Sequence, residues 1–107
     1  MLNPASDDAL KVSISDDGAI VVSGDIDVAG VAVLEPAIAH PERFPIVIDL
    51  ENVSFIDSSG IRSLLGASRN AKARDSHVAL RLVGPEVTRV LEITGTTGQF
   101  VIESSRA

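Results

Sequence analysis

The stretch Ile46-Val47-Ile48-Asp49-Leu50-Glu51-Asn52-Val53-Ser54-Phe55-Ile56-Asp57-Ser58-Ser59-Gly60 decides the fold. Ile46 to Leu50 is aliphatic but for one acid, the pattern of a strand buried on both faces in the middle of a parallel sheet. Asn52 to Asp57 leads out of it. The apolar end Phe55-Ile56 then gives way abruptly to four small or polar residues, which open a helix. Beyond them Ile61, Leu64, Leu65, Ser68, Ala71 and Lys72 fall on one helical stripe that is apolar at its start and fades after Ala71. A buried strand running into an amphipathic helix is half of a strand–helix–strand crossover.

Working outward, Lys11 to Ser15 alternates polar and apolar, Asp16-Asp17-Gly18 is a turn signal, and Ala19 to Ser23 is rich in β-branched residues, so the chain opens with a hairpin that Gly24-Asp25-Ile26-Asp27 ends. Val28 to Ala39 suits a buried helix with Asp27 as its N-cap, and Pro36 predicts a kink or split in it. His40 to Pro45 is a loop. On the other side, Val78 to Val83 reads as a second buried strand. Gly84-Pro85 starts a helix with Val87, Val90, Leu91 and Thr94 inward, which Gly95 ends. Phe100 to Ile102 makes a short last strand, and Glu103 to Ala107 is a polar tail expected to fray. The pattern predicts an α/β domain: a mixed β-sheet with an N-terminal hairpin and parallel strands joined by right-handed helical crossovers. No internal repeat, linker or low-complexity segment is evident.

With 107 residues, 45% of them apolar, residues 1–107 are expected to form a single domain with its core at about 11–103. There is no cysteine, which excludes disulfides, thiolate metal sites and thiol nucleophiles. Three phenylalanines, with no Trp or Tyr, are too few for base-stacking platforms. No uncharged stretch approaches the roughly 20 residues of a membrane span, and residues 1 to 10 lack the basic start and apolar run of a signal peptide. A cytoplasmic protein is the expectation. The net charge of -6 hides an asymmetry, with eleven acids against two bases in residues 1–57 and seven bases against four acids thereafter. An acidic chain repels phosphate backbones, so no nucleic-acid partner is expected. Arg62, Arg69, Lys72 and Arg74 are read either as the solvated face of a helix or as a surface for phosphate or an acidic partner.

Asp57-Ser58-Ser59-Gly60 is what any helix N-terminus prefers, so a plain cap and a functional site are both open from composition. A hydrolase triad drawn from Ser58, His77 and Asp49 or Asp57 lacks the G-x-S-x-G elbow, since Ile56 stands at its first glycine. His40 and His77 are 37 residues apart without acidic neighbours at metal spacing, and no metal or cofactor is expected. Gly95-Thr96-Thr97-Gly98 has the GxxG form of a nucleic-acid loop but no basic flank, and reads as a helix end and turn.

These residues resemble the STAS domain in the form of the bacterial anti-sigma factor antagonists. Gly24-Asp25-Ile26-Asp27 is similar to that family's G-[ED]-x-D turn and Ile46 to Leu50 to its buried strand. Val53-Ser54-Phe55-Ile56-Asp57-Ser58-Ser59-Gly60 is similar to its V-x-F-[IM]-D-S-[ST]-G segment, with Gly66 and Val90 to Gly95 also in place. The resemblance implies a non-enzymatic regulator whose Ser58 is phosphorylated by an anti-sigma factor serine kinase and dephosphorylated by a serine phosphatase. Only the unphosphorylated form would bind the anti-sigma factor and free the sigma factor, as in a bacterial stress response. It also implies that Asp25, Asp27, Asp57, Ser59 and Gly60 form the docking surface around Ser58. Arg62 joins that surface and departs from the family, standing where a small residue usually follows the motif; Asp75-Ser76 and Thr96-Thr97-Gly98 depart as well. The family also holds non-switching scaffold subunits of transport or sensory complexes, which is the rival expectation, and a homodimer is left open. A phosphate on Ser58 would meet the dipole and free N–H groups of a helix start, with Asp57 opposing it.

Overall fold

The structure, a computed structural model, describes residues 9–105. The expectations for residues 1–8, and for 106–107 of the polar tail, lie outside the described residues. Five strands lie in one sheet in sequential order: β1 (Lys11–Ile14), β2 (Ile20–Ile26), β3 (Ile46–Ile56), β4 (Val78–Arg81) and β5 (Val101–Glu103). β1 and β2 form the antiparallel hairpin, and every later neighbour is parallel. The crossovers carry α1 (Val28–Ala39), α2 (Ser58–Lys72) and α3 (Pro85–Ile93). Each crossover advances the chain by one strand in the same direction, so their right-handedness sets all three helices on one face. Leu34, Ile38, Leu64, Ala67, Val87 and Leu91 accordingly join Ile20, Val22, Ile48, Leu50 and Leu80 in one aliphatic core.

β3 does not stop near Leu50 as its sequence suggests; it continues to Ile56. Val21 pairs with Asp49, Ser23 with Asn52 and Asp25 with Phe55, so β3 spends one extra residue at each of two steps against β2. These bulges change the spacing of its buried residues from two to three, at Ile46, Ile48 and Leu50, then Val53 and Ile56. β2 correspondingly runs through Gly24, which has φ of 103°, to Ile26.

Of the kink or split expected at Pro36, the split does not occur: α1 is one continuous helix with Pro36 inside it. Pro36 and Ala32 both lie on the exposed side of the helix, where solvent can reach the carbonyl that loses its i+4 donor, while Leu34 and Ile38 anchor the chain on either side. In α2 the inward face is Gly60, Ile61, Ser63, Leu64, Ala67, Ser68 and Ala71. Leu65 is only half-buried and Lys72 is exposed, because α1 covers the Ser63 side, where the Ser63 hydroxyl donates to Glu35. β4 ends two residues before Val83, since Leu82 turns out of the strand at φ 57° with its N–H on the Glu103 carbonyl. Thr94 does not face inward: its hydroxyl caps α3 by donating to the Val90 carbonyl at 2.8 Å.

The face without helices carries charge. Asp49, Arg81 and Glu103 stand in one cross-strand row, and the nearly buried Arg81 guanidinium pairs with Asp17 in the hairpin turn at 3.1 Å and with Glu103 at 3.5 Å. The first turn is thus tied to the last two strands. The Asp17 carboxyl is lowered to about 2, by the Ser15 hydroxyl first, then by the Ala19 amide and by Arg81. An unfolded carboxyl titrates near 3.9, so this stabilisation is complete above about pH 4 and is lost as the pH falls toward 2. Asp17→Asn is expected to lower the urea midpoint at pH 7, and its gap from the wild-type chain should close between pH 4 and pH 2 in urea titrations.

Candidate functional site

The strand ends β2 and β3 each run directly into a helix through the same five-residue pattern. Ile26-Asp27-Val28-Ala29-Gly30 and Ile56-Asp57-Ser58-Ser59-Gly60 recur at an offset of 30 residues, and Ile26 is the cross-strand partner of Ile56. The two copies therefore lie side by side, and the recurrence escaped the expectation of no repeat because it is so short. Each Asp caps its helix with nearly the same backbone, φ/ψ of -107°/-169° at Asp27 and -111°/-171° at Asp57. The Asp27 carboxylate accepts from the Gly30 amide at 2.8 Å. That of Asp57 accepts from the amides of Ser59 at 2.9 Å and Gly60 at 3.1 Å, and from the Ser59 hydroxyl.

Both glycines face the end of β2. A Cβ on Gly30 would sit 2.3 Å from the Asp25 carbonyl, and one on Gly60 would sit 2.6 Å from the Ile26 carbonyl. The Asp57 amide also bonds that Ile26 carbonyl, at 3.2 Å. Gly60 is buried, so it shapes the surface from beneath and does not line it.

Ser58 and Ser59, alike in sequence, differ in the structure. Ser59 is half-buried with its hydroxyl committed to Asp57, whereas Ser58 is exposed at the first position of α2. The Ser59 hydroxyl, chiefly, and the Gly60 and Ser59 amides hold the Asp57 carboxyl below its ordinary value against partial burial, so it is an anion at neutral pH. Asp25 and Asp27 stand half-buried on the neighbouring strand end, and Arg62 is exposed one turn along α2. The structure thus places Asp25, Asp27, Asp57, Ser59 and Arg62 at the strand ends and helix start around Ser58, whereas Gly60, expected on the docking surface, is buried beneath it. It adds two that the sequence reading missed, Val28 at 73% exposure and Phe55 at 48%. The five-residue recurrence was the signal for Val28, since it places that residue opposite Ser58.

Other candidates disperse. The His77 carbonyl bonds the Ile46 amide, which puts His77 at the far end of the 11-residue β3, roughly 30 Å from Ser58 at about 3.3 Å per residue. Asp49 lies on the opposite sheet face, so no hydrolase triad assembles. Among the described residues no three His, Cys, Asp or Glu side chains come together to hold a metal ion. The basic residues on and just after α2 divide: Lys72 bonds Gln99 at 2.7 Å, Arg74 covers the Phe44 ring, and Arg62 and Arg69 line a groove of about 500 Å³ between α1 and α2. No described helix is long and apolar enough to cross a membrane.

Comparison with known proteins points the same way. The family profile described as "Mlab, STAS domain" matches residues 10–103. An anti-sigma-B factor antagonist of Staphylococcus aureus strain NCTC 8325 / PS 47 is 32% identical over 79 residues, 71% of this chain and 73% of that one. The crystal structure of an anti-sigma factor antagonist from Mycobacterium paratuberculosis superposes with a TM-score of 0.76 at 27% identity, covering 99% of this chain and 92% of that one. The antagonist SpoIIAA in its unphosphorylated form shares the fold, with a TM-score of 0.67 at 24% identity over 91% of this chain and 90% of that one.

The cap geometry gives two checks by chemical denaturation. Gly60→Ala is expected to cost about 1–3 kcal/mol by overpacking against the Ile26 carbonyl. Gly66→Ala in the same helix, where the nearest atom to a new Cβ is an Arg69 nitrogen 3.8 Å away, is expected to stabilise by about 0.4–1 kcal/mol. Asp57→Ala should cost about 0.5–2 kcal/mol and Asp57→Asn little. Because the Asp57 carboxyl is lowered in the folded chain, the deficit of Asp57→Ala should shrink as the pH falls below about 4.

Proposed function

The chain belongs to the STAS domain family, and on that footing we propose that it is an anti-sigma factor antagonist working as a phospho-switch. In its unphosphorylated form it binds an anti-sigma factor serine kinase and frees the sigma factor. Transfer of phosphate to Ser58 ends the binding, and a serine phosphatase restores it. The protein acts by contact, as a substrate of the kinase and not as a catalyst, in the cytoplasm. Residues 1–107 act as one STAS unit.

The observation that carries this reading is the difference between the two serines. A kinase needs a hydroxyl that reaches its active site with its proton free, and Ser58 is exposed while the Ser59 hydroxyl is held by Asp57. The surface around Ser58 also suits a protein contact. Val28 and Phe55 offer apolar area, and Asp25, Asp27 and Asp57 give it a polar rim that already carries negative charge. The relatives whose names speak of antagonising sigma-factor regulators support the identity of that partner.

A phosphate on Ser58 adds a group of about -1.5 to -2 charges inside such a contact. Its desolvation, next to the Asp57 carboxylate, is expected to cost several kcal/mol. At 1.4 kcal/mol per tenfold, a penalty of about 3–4 kcal/mol weakens the complex roughly 100-fold to 1000-fold. Calorimetric titration of the anti-sigma partner with the unmodified and phosphorylated chains should show that loss, and Ser58→Glu a smaller one. Kinase and ATP should modify the wild-type chain and Ser59→Ala but not Ser58→Ala, by intact mass. Equal affinities of the two forms would instead assign the chain to the non-switching scaffolds of transport or sensory complexes.

A further inference from the structure

A phosphate at the start of a helix ordinarily draws on the free amides of the first turn, but here those amides are already taken. Of the first four N–H groups of α2, those of Ser59 and Gly60 donate to the Asp57 carboxylate and that of Ile61 to the Asp57 carbonyl. Only the Ser58 N–H stays outside the cap, and the Ser59 hydroxyl is committed as well. The charged groups on the surrounding elements are mostly acidic: Asp57 itself, Asp25 and Asp27 at the end of β2, and Glu35 on α1. The free amides expected to receive a phosphate are thus reduced to that of Ser58, and a dianion there gains from a nearby cation.

Arg62 is placed to supply one. It lies four residues after Ser58 on α2, the spacing that stacks two side chains on one face of a helix, with the Cβ atoms about 5–6 Å apart. Its side chain is exposed, and the ion pairs among the described residues belong to Arg81, so no carboxylate holds the Arg62 guanidinium. Arg69, eleven residues from Ser58, is about 16 Å along the helix axis and too far to share the role.

We infer that Arg62 is a built-in counter-ion for a phosphate on Ser58, pairing with it through the forked N–H groups of its guanidinium in the modified chain. The inference rests on the reading of Ser58 as the modified residue and adds how this chain regulates its off state. The Arg62 pair holds the phosphate as a dianion, ties it along the outside of α2 and partly neutralises it. A phosphatase would have to displace the guanidinium before reaching the phosphorus. In the unmodified chain Arg62 is exposed and makes no ion pair among the described residues, so its replacement should leave stability there almost unchanged.

The test uses the full chain with phosphoserine incorporated at position 58 by codon reassignment, which needs no kinase. Phosphorus NMR titration reads the second pKa of the phosphate, ordinarily about 6. It should lie lower by about 0.3 or more with Arg62 than in Arg62→Gln, the size expected of an exposed i, i+4 ion pair. Arg62→Lys should fall between them, Arg69→Gln should match the parent, and the difference should diminish in 1 M salt. Equal pKa values for the parent and Arg62→Gln, or an equal rise in Arg69→Gln, would overturn the pairing. Failure of a cognate kinase to modify Ser58 is a separate result, which would remove the functional reading while the titration still decides the contact.

Discussion

Two helix starts pack directly on the backbone at the end of one strand. The carbonyls of Asp25 and Ile26 lie under Gly30 and Gly60, at distances that leave no room for a β-carbon. Everything around the site depends on this contact. It fixes α1 and α2 side by side on the sheet, sets both aspartate caps at the same height, and brings the two apolar–polar transitions Ile26-Asp27 and Ile56-Asp57 into register. A side chain at either glycine would lift its helix off the strand and move the exposed residues at its start with it.

The two bulges of β3 serve the same end. Without them an 11-residue strand would alternate strictly, and Val53 would point to the face opposite Leu50. With one extra residue at each step, Val53 and Ile56 return to the core. The strand then delivers Asp57 beside Ile26, whose carbonyl its amide bonds. This explains what could be read from the sequence and what could not. The hairpin, the α/β order and the buried start of β3 follow from periodicity, whereas the second half of β3 was read as a lead-out because bulges erase the period of two. The continuity of α1 through Pro36 is hidden from the sequence for a different reason: a proline is a breaker in sequence terms, but its cost depends on whether the freed carbonyl faces solvent, and only the docking of Leu34 and Ile38 puts Ala32 and Pro36 on the exposed side.

At the site itself, the residue types were legible and their division of labour was not. Asp57-Ser58-Ser59-Gly60 announces a helix cap, yet sequence alone cannot say which serine is bonded to the aspartate or that Gly60 looks inward. Those facts come from the orientation of α2 against β2, a tertiary property. Val28 and Phe55 passed unnoticed because apolar residues beside a strand end are normally assigned to the core, and both are here largely exposed. The basic half of the chain likewise has no single meaning: Arg81 is an internal pin, Lys72 and Arg74 serve local packing, and Arg62 alone stands one turn from Ser58.

The assignment of the cap to Asp57 has a consequence for any modification of Ser58. Were Ser58 the N-cap, its hydroxyl oxygen would accept from the first amides, and esterifying it would replace the group on which the helix start relies. Here the carboxylate of the preceding residue takes those amides and stays ionised at neutral pH, so the start of α2 stands whatever Ser58 carries. The close packing of Gly60 on β2 holds the same turn from the other side. A phosphate on Ser58 consequently changes the charge and shape of the surface without removing a bond that the fold needs. Fold and signal are thereby separated by one residue along the chain, with the structural acceptor at Asp57 and the exposed hydroxyl at Ser58.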